Sequence, residues 1–342
     1  AVGGTSGKST TTAMIWHIFQ KNGIDASVIN GAYINSLTNN KLIGNAYLGK
    51  SDVLVIEADE SDASITIYKP YTGVVLNISK DHKNINELKK IFTDFLKNSN
   101  ISVINADDQN LHEISSNLKN TVYFSSKNII IKKTSLEKTI FEIENDTYEI
   151  PIAGTHNITN VFAAAKTAEI FGINFKEGLK SLNDFKGIYR RMNIIGKHQN
   201  ITVVDDYAHN PAKLTALINT LKENSKKFIL IYQPHGFYPT KLLKNELIEV
   251  FKNIRNDDIL ILPEIYYVGG SVKKDISSKD LVYELKRFNK NAIYFEKRVE
   301  ILNYITGMKD ISSYEIIAIS GARDNTLNDF AKELYTKIIN KV

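Results

Sequence analysis

The sequence predicts an α/β protein of two domains, and three observations carry that prediction. Short apolar runs alternate with segments of helical spacing along the whole chain, as in sheets whose parallel strands are joined by helices. A glycine-rich loop, Gly3-Gly4-Thr5-Ser6-Gly7-Lys8-Ser9-Thr10, runs straight into one of those helical segments. The length, 342 residues, fits two domains at about 150 residues each.

Taken in order, the elements start with a helix over 8–21. Its apolar residues Met14, Ile15, Ile18 and Phe19 have helical spacing, and Gly23 stands where a C-cap would end it. Strands follow at 52–57 (DVLVIE) and 72–78 (TGVVLNI), each a nearly continuous apolar run of the kind buried parallel strands require. An amphipathic helix over 86–98 leads into a strand over 101–105 (ISVIN). Residues 122–124, 129–131 and 140–143 read as a small antiparallel subsheet, and 157–171 as an alanine-rich helix. The alternation then restarts. Strands are expected at 201–205, 228–232, 258–262, 292–294 and 315–319, with helices at 212–222, 240–253, 278–286 and 326–339. The expected junction lies near Gly187, giving domains of 1–187 and 188–342.

Composition narrows the chemistry. There is no cysteine, so a disulfide scaffold, a Cys-ligated zinc or iron–sulfur site and a thiol nucleophile are excluded. The net charge of +5 is mild and spread along the chain, which argues against a nucleic-acid partner and suits anionic substrates. No apolar run approaches the roughly 18 residues of a membrane span. A cytoplasmic protein with neither membrane nor nucleic-acid partner is expected.

Six segments can carry chemistry. In the glycine-rich loop, backbone N–H groups and the positive helix end gather around phosphates, Lys8 can reach them, and the Ser9 hydroxyl can hold Mg²⁺. The bland alternative is a glycine-rich turn between two elements. Glu57-Ala58-Asp59-Glu60-Ser61-Asp62 follows a strand end, where parallel sheets carry ligand loops. Four carboxylates there repel one another unless a hard cation offsets them, although a solvated acidic loop is the simpler alternative. Asn77-Ile78-Ser79-Lys80-Asp81-His82 ends the next strand and makes His82 a candidate cation ligand. Asn157 and Asn160 share one face at a helix start, suited to reading adenine or to capping. Arg190-Arg191 with Val203 to Pro211 (VVDDYAHNP) is the fifth, and Tyr232 to Phe237 (YQPHGF) the sixth. His82, His156, His209 and His235 all fall at expected element edges, which suggests one cleft between the two domains.

Together these segments resemble the Mur ligase family, and in particular its alanine-adding branch or the murein-peptide-recycling relative. The motifs are GTSGKSTTT at 4–12, EADESDAS at 57–64, LNISKDH at 76–82, GTHNITN at 154–160, FKGIYRRM at 185–192, VVDDYAHNP at 203–211 and YQPH at 232–235. They stand in family order over essentially the whole chain. The resemblance implies a P-loop ATPase-type domain followed by a Rossmann-like domain. It implies ADP-forming amide ligation through an acyl phosphate, adding L-alanine to UDP-N-acetylmuramate in peptidoglycan biosynthesis. ATP and Mg²⁺ would be the cofactors, a UDP-linked muramoyl substrate and a small amino acid the partners, and the chain a monomer or weak homodimer.

By position, the resemblance implies that Gly4, Thr5, Ser6, Gly7, Lys8, Ser9 and Thr10 bind the phosphates. Ser9, Glu57 and His82 would ligate Mg²⁺. Asn157 and Asn160 would lie near adenine, Arg191 at the phosphates and Asp206 at the ribose. His209 and His235 would face the entering amino acid.

Some residues depart from the family pattern. Alanine-adding members follow QPH with arginines where this chain has Gly236 and Pro239, and Arg323 is the candidate replacement. Some members carry a modified lysine after the DH motif, and Lys89, Lys90 and Lys97 stand nearby without one of them being assigned to it. The family also carries a UDP-sugar-binding domain before the loop, and only Ala1 and Val2 precede it here. A chain that begins inside a longer protein is the expectation. Three other functions remain open: a ligase for another amino acid, peptide or non-murein acid, an ATP-binding homologue without ligation, and, remotely, a nucleic-acid-dependent ATPase.

Overall fold

The computed structural model describes the chain except residues 39–42, 80–82, 117, 268, 270 and 341–342. The described chain forms two compact units, Ala1–Tyr189 and Arg190–Val342. The division falls two residues after the expected junction at Gly187. Ile188 bridges to Ile34 and the Tyr189 N–H donates to the Tyr33 carbonyl, so both stay with the first unit.

The first unit contains, in chain order, β1 (Val2–Gly3), α1 (Lys8–Lys21), β2 (Ser27–Ile29), β3 (Ala46–Tyr47), β4 (Leu54–Ile56), β5 (Thr72–Val75) and α2 (Ile85–Lys97). It continues with β6 (Ile101–Asn105), α3 (Gln109–Ser115), β7 (Thr121–Phe124), β8 (Ile130–Thr134), β9 (Thr139–Ile143), β10 (Asp146–Ile150), α4 (Asn157–Ile170) and α5 (Phe175–Lys180). The main sheet is parallel, in the order β1-β5-β6-β7. Strand alternation sends successive side chains to opposite faces. Val74 and Val103 join a core with Trp16 and Phe19 of α1 and Phe162 of α4, while Val75 and Ile104 join one with Phe92 and Phe95 of α2. On α2, buried Leu88, Ile91, Phe92, Phe95 and Leu96 make a single apolar stripe. A second sheet, β3-β2-β4, meets the first where Glu57 bridges to Val2.

Two expectations are corrected here. Residues 122–124 do not belong to the antiparallel subsheet. They form β7, parallel to β6, because α3 connects the two, and a strand returning through a helical crossover enters parallel. The antiparallel subsheet consists of β8, β9 and β10. Glu144 and Asn145 join β9 to β10 with φ of 51 and 68, the positive values that suit a two-residue hairpin loop. The strand expected over 52–57 is shorter, Leu54–Ile56.

The second unit contains β11 (Asn193–His198), β12 (Ile201–Asp206), α6 (Pro211–Asn224), β13 (Phe228–Tyr232), α7 (Phe237–Leu242), α8 (Lys244–Lys252) and β14 (Ile259–Pro263). It ends with α9 (Ser278–Lys286), β15 (Ala292–Phe295), α10 (Arg298–Gly307), β16 (Ile316–Ser320) and α11 (Thr326–Ile339). Its sheet runs β11-β12-β16-β13-β14-β15, parallel except for β11. Strands β13, β14 and β16 are buried at every residue, which explains their unbroken apolar sequences. Ile229, Ile231, Ile317 and Ile319 pack with Ile301 and Ile305 of α10 and with Phe330 and Leu334 of α11. This order places the loops after β12, β16 and β13 side by side at the carboxyl edge, where such sheets bind ligands. The single helix expected over 240–253 is instead two, α7 and α8, separated at Leu243 with φ −99 and ψ 10. Among the described residues, no helix is long and apolar enough to cross a membrane.

Candidate active site

In the first unit the site is the turn between β1 and α1. Gly4 has φ 129, and a Cβ there would lie 3.1 Å from the Leu76 nitrogen. Gly7 has φ 88, and its Cβ would lie 2.3 Å from Asn160 Oδ1. Both positions therefore demand glycine, on backbone and on space. Helix α1 starts at Gly7 without a side-chain cap, so its first-turn N–H groups keep their capacity for an anion.

The loop is clamped by the segment after β5. Asn77 Nδ2 donates to the Ser6 carbonyl at 3.0 Å, and the Ser6 N–H donates to Asn77 Oδ1 at 2.9 Å. Thr5 Oγ1 donates to Asn77 Oδ1 at 2.8 Å and accepts the Ser79 N–H at 3.0 Å. Thr5 and the Ser6 amide thus shape the loop and are already engaged. The clamp is itself braced, because Asn105 and Asn110 donate to the carbonyls of Leu76 and Ile78. The Ile78 N–H donates to Asp108 Oδ2 at 3.1 Å, while Asp108 Oδ1 caps α3 through Leu111.

Lys8 Nζ donates to the Gly4 carbonyl at 2.9 Å and to Glu60 Oε2 at 2.8 Å. Burial raises the Glu60 carboxyl above its ordinary value, and the Lys8 charge opposes that rise. Glu57 accepts the Gly31 N–H at 2.7 Å, and a Cβ on Gly31 would meet Glu57 Oε2 at 2.7 Å, so glycine makes room for the carboxylate. Asp59 and Asp62 accept the amides of Ser61 and Ser64, which makes them turn-formers. Ser9 and Glu57 supply hard oxygen donors of the kind Mg²⁺ takes. His82 lies outside the described residues. Among those described, no group of three or more His, Asp or Glu gathers as a metal cluster.

Asn157 donates to the Ala153 carbonyl, and Asn160 donates to Asn157 Oδ1 at 2.9 Å. With Asn160 against Gly7, this pair backs the glycine-rich loop, and its amides are bonded within the protein. Thr10, half-buried on α1, completes the sequence-predicted loop residues.

In the second unit the expected residues gather at the carboxyl edge of the sheet. Asp206 accepts the amides of Ala208 at 2.7 Å and Met192 at 2.8 Å, so both carboxylate oxygens hold backbone. The Arg191 guanidinium lies 5.2 Å from the Tyr207 ring centroid. Arg190 is buried and bonds Asp205 through Nε at 2.9 Å, the Asp324 carbonyl at 3.1 Å and the Gly321 carbonyl at 2.9 Å. It ties the end of β12 to the loop after β16. Burial raises the carboxyl of Asp205, and Arg190 and Asn328 oppose that rise.

His209 packs edge-on against His235 at 5.4 Å, and its Nδ1 lies 2.9 Å from the Tyr207 carbonyl. That bond assigns the proton to Nδ1. Burial, reinforced by Lys213, pushes the His209 imidazole down to about 2. Gln233 accepts Arg298 Nε at 3.1 Å, and Arg298 also bonds Asp324. Gly236 caps α7 with φ 72 and ψ 127. Arg323 is exposed, with φ 62.

Sequence reasoning missed Glu60, Asn77, Asp108, Asp205, Gln233 and Arg298 as working residues. Glu60, Asn77, Asp205 and Gln233 stood inside motifs already singled out. The others act through contacts distant in sequence, which no spacing reveals.

The comparisons with known proteins follow this geometry. Residues 2–168 match the family profile of the Mur ligase middle domain, and 190–323 that of the Mur ligase glutamate ligase domain. The UDP-N-acetylmuramate–L-alanine ligase of Caldicellulosiruptor saccharolyticus is 33% identical over 95% of this chain and 73% of its own length. The Dictyoglomus turgidum enzyme of the same name is 32% identical over 83% of this chain and 64% of its own. The chain thus spans somewhat under two thirds to about three quarters of these relatives. The fold matches the crystal structure of UDP-N-acetylmuramate–alanine ligase from Thermotoga maritima with a TM-score of 0.76 at 23% identity, covering all of this chain and 75% of that one. With the phosphate loop, its clamp and the strand-edge histidines lying within those two matched domains, the chain belongs to the Mur ligase family.

Proposed function

We propose that this chain supplies the ATP-using and amino-acid-accepting parts of an ADP-forming ligase that joins L-alanine to UDP-N-acetylmuramate in peptidoglycan biosynthesis. The single observation that carries the proposal is the loop at Gly4–Ser9. It combines two glycines in left-handed backbone, an uncapped helix start and a lysine held at the loop.

A carboxylate is a poor acyl donor until it is phosphorylated. Phosphoryl transfer is then largely a matter of positioning and charge neutralisation. The loop amides of α1 bind the phosphates, and Lys8 neutralises charge on the transferring group. Ser9 and Glu57 would hold Mg²⁺, which supplies further phosphate neutralisation when bound.

The amine of the amino acid attacks the resulting acyl phosphate and phosphate leaves. His209 suits the entry side of that step in one specific way. Its Nδ1 is engaged and its ring stays neutral, so Nε2 can accept a hydrogen bond from the amine. With so low a pKa it orients the amine rather than deprotonating it.

The test is ADP formation by the full chain with UDP-N-acetylmuramate and L-alanine. Lys8→Ala should lower turnover by about 10²–10³, the usual loss for one electrostatic contact. ATP that fails to bind, or a Lys8→Ala variant with unchanged turnover, would overturn the proposal.

A second reading changes only the acceptor, and Gly236 favours it. A side chain there would meet Pro239 Cδ at 3.2 Å in a backbone conformation that suits glycine. The loop after β13 therefore carries no side chain where the alanine-adding pattern has arginine. Glycine, L-serine or a peptide turning over faster than L-alanine would establish this reading.

A further inference from the structure

Lys8 and Glu60 form an ion pair within the first unit at 2.8 Å, with side chains only 12% and 7% exposed. The other acidic residues of the segment are occupied elsewhere, Glu57 by Gly31, Asp59 by Ser61 and Asp62 by Ser64. Glu60 is the buried carboxylate of the set. An ammonium has three hydrogens. One goes to the Gly4 carbonyl and one to Glu60, which leaves one for a ligand. Moving Lys8 away would strand a buried carboxylate without its counter-charge, which is strongly unfavourable.

The geometry assigns Glu60 as the positioning residue of Lys8. It fixes the ammonium between its own carboxylate and the Gly4 carbonyl, and it neutralises the loop until phosphates arrive. This rests on the loop being the ATP site. Two separable consequences follow. The Glu60 charge opposes the distal phosphates, so its removal tightens the binding of nucleotides that carry them. Its hydrogen bond restrains Lys8, so its removal frees the amine.

The experiment uses the full chain as wild type, Glu60→Gln and Glu60→Asp. Titration calorimetry gives Kd for ATP, ADP and AMP without Mg²⁺. Acetylation by an amine-reactive ester, read by peptide mass spectrometry, gives the reactivity of Lys8 relative to that of exposed Lys21. Glu60→Gln should tighten ATP about fivefold, ADP less, and leave AMP unchanged, as expected for a charge acting on the distal phosphates. Lys8 labelling should rise about threefold or more as the hydrogen bond that restrains its ammonium is lost. Glu60→Asp keeps the charge and loses reach, so Lys8 labelling should rise without tighter ATP binding.

Unchanged or weaker ATP binding in Glu60→Gln overturns the inference. So does an equal effect on AMP, or Lys8 labelling that does not move against Lys21. Wild type that fails to bind ATP instead overturns the reading of the loop itself.

Discussion

His209 illustrates how one residue's surroundings fix its chemistry. Half-buried beside His235, it loses its ability to charge. The unfolded chain would bind a proton at this histidine below its ordinary value of about 6.5, whereas the folded chain would not until about 2. Its folded pKa is depressed, so its contribution to stability is complete above the unfolded pKa and declines as the pH falls below it. Between about pH 7 and about pH 5 this one group should cost about 2 kcal/mol of stability. Urea unfolding of wild type and His209→Gln across that range checks it, with the variant expected to show a flatter profile by that amount. Lys8 has the opposite design. It is held in an ion pair by a buried carboxylate, and its removal is the sharpest test of function.

Among the elements, α3 matters more than its seven residues suggest. Its cap, Asp108, also holds the Ile78 N–H, and the residues next to Ile78 clamp the phosphate loop through Thr5 and Ser6. Asp108→Ala removes a cap and leaves the amide of a buried residue unbonded. A loss of about 1–3 kcal/mol is expected. Because the clamp loosens, ATP affinity should also fall about tenfold, which is about 1.4 kcal/mol. Thermal unfolding and ATP titration of the same variant separate the two effects. Lower stability with unchanged ATP affinity would mean that the brace does not reach the loop. Gly236 starts α7 three residues before the expected helix, and Leu243 interrupts the run.

At the scale of the molecule, the two units keep separate apolar cores, and each gathers its candidate site residues at a carboxyl edge of its own sheet. Arg190 is the buried cation that ties the end of β12 to the loop after β16 within the second unit. Arg190→Met should leave Asp205 buried without its counter-charge, with only Asn328 still bonded to it, and cost about 3–5 kcal/mol. The loss should fall on the unfolding of the second unit alone. Denaturant titration followed by hydrogen exchange of peptides from each unit checks this. Equal loss of protection in peptides from 1–189 would overturn it.

Much of this was legible along the chain. The unbroken apolar runs gave β13, β14 and β16, because strands covered on both faces leave no polar positions. The stripe on α2 and the glycine-rich loop were equally direct, since periodicity and motif are read along the chain, whereas the crowding that demands glycine at 4 and 7 comes from the distant Leu76 and Asn160. Short strands such as β2 and β3 were missed, as was the partner of β7, because pairing depends on what lies alongside rather than on sequence. The sequence by itself determined the chemistry available: a glycine-rich loop with a lysine and a serine, carboxylates and histidines at strand ends, and no thiol. Only the tertiary structure decided how those groups are used. It buried Glu60 against Lys8, kept His209 neutral and spent Asp206 on backbone amides. The physical reason is that charge state and hydrogen-bond capacity depend on burial and on partners far away in the chain, and the fold alone brings those partners together.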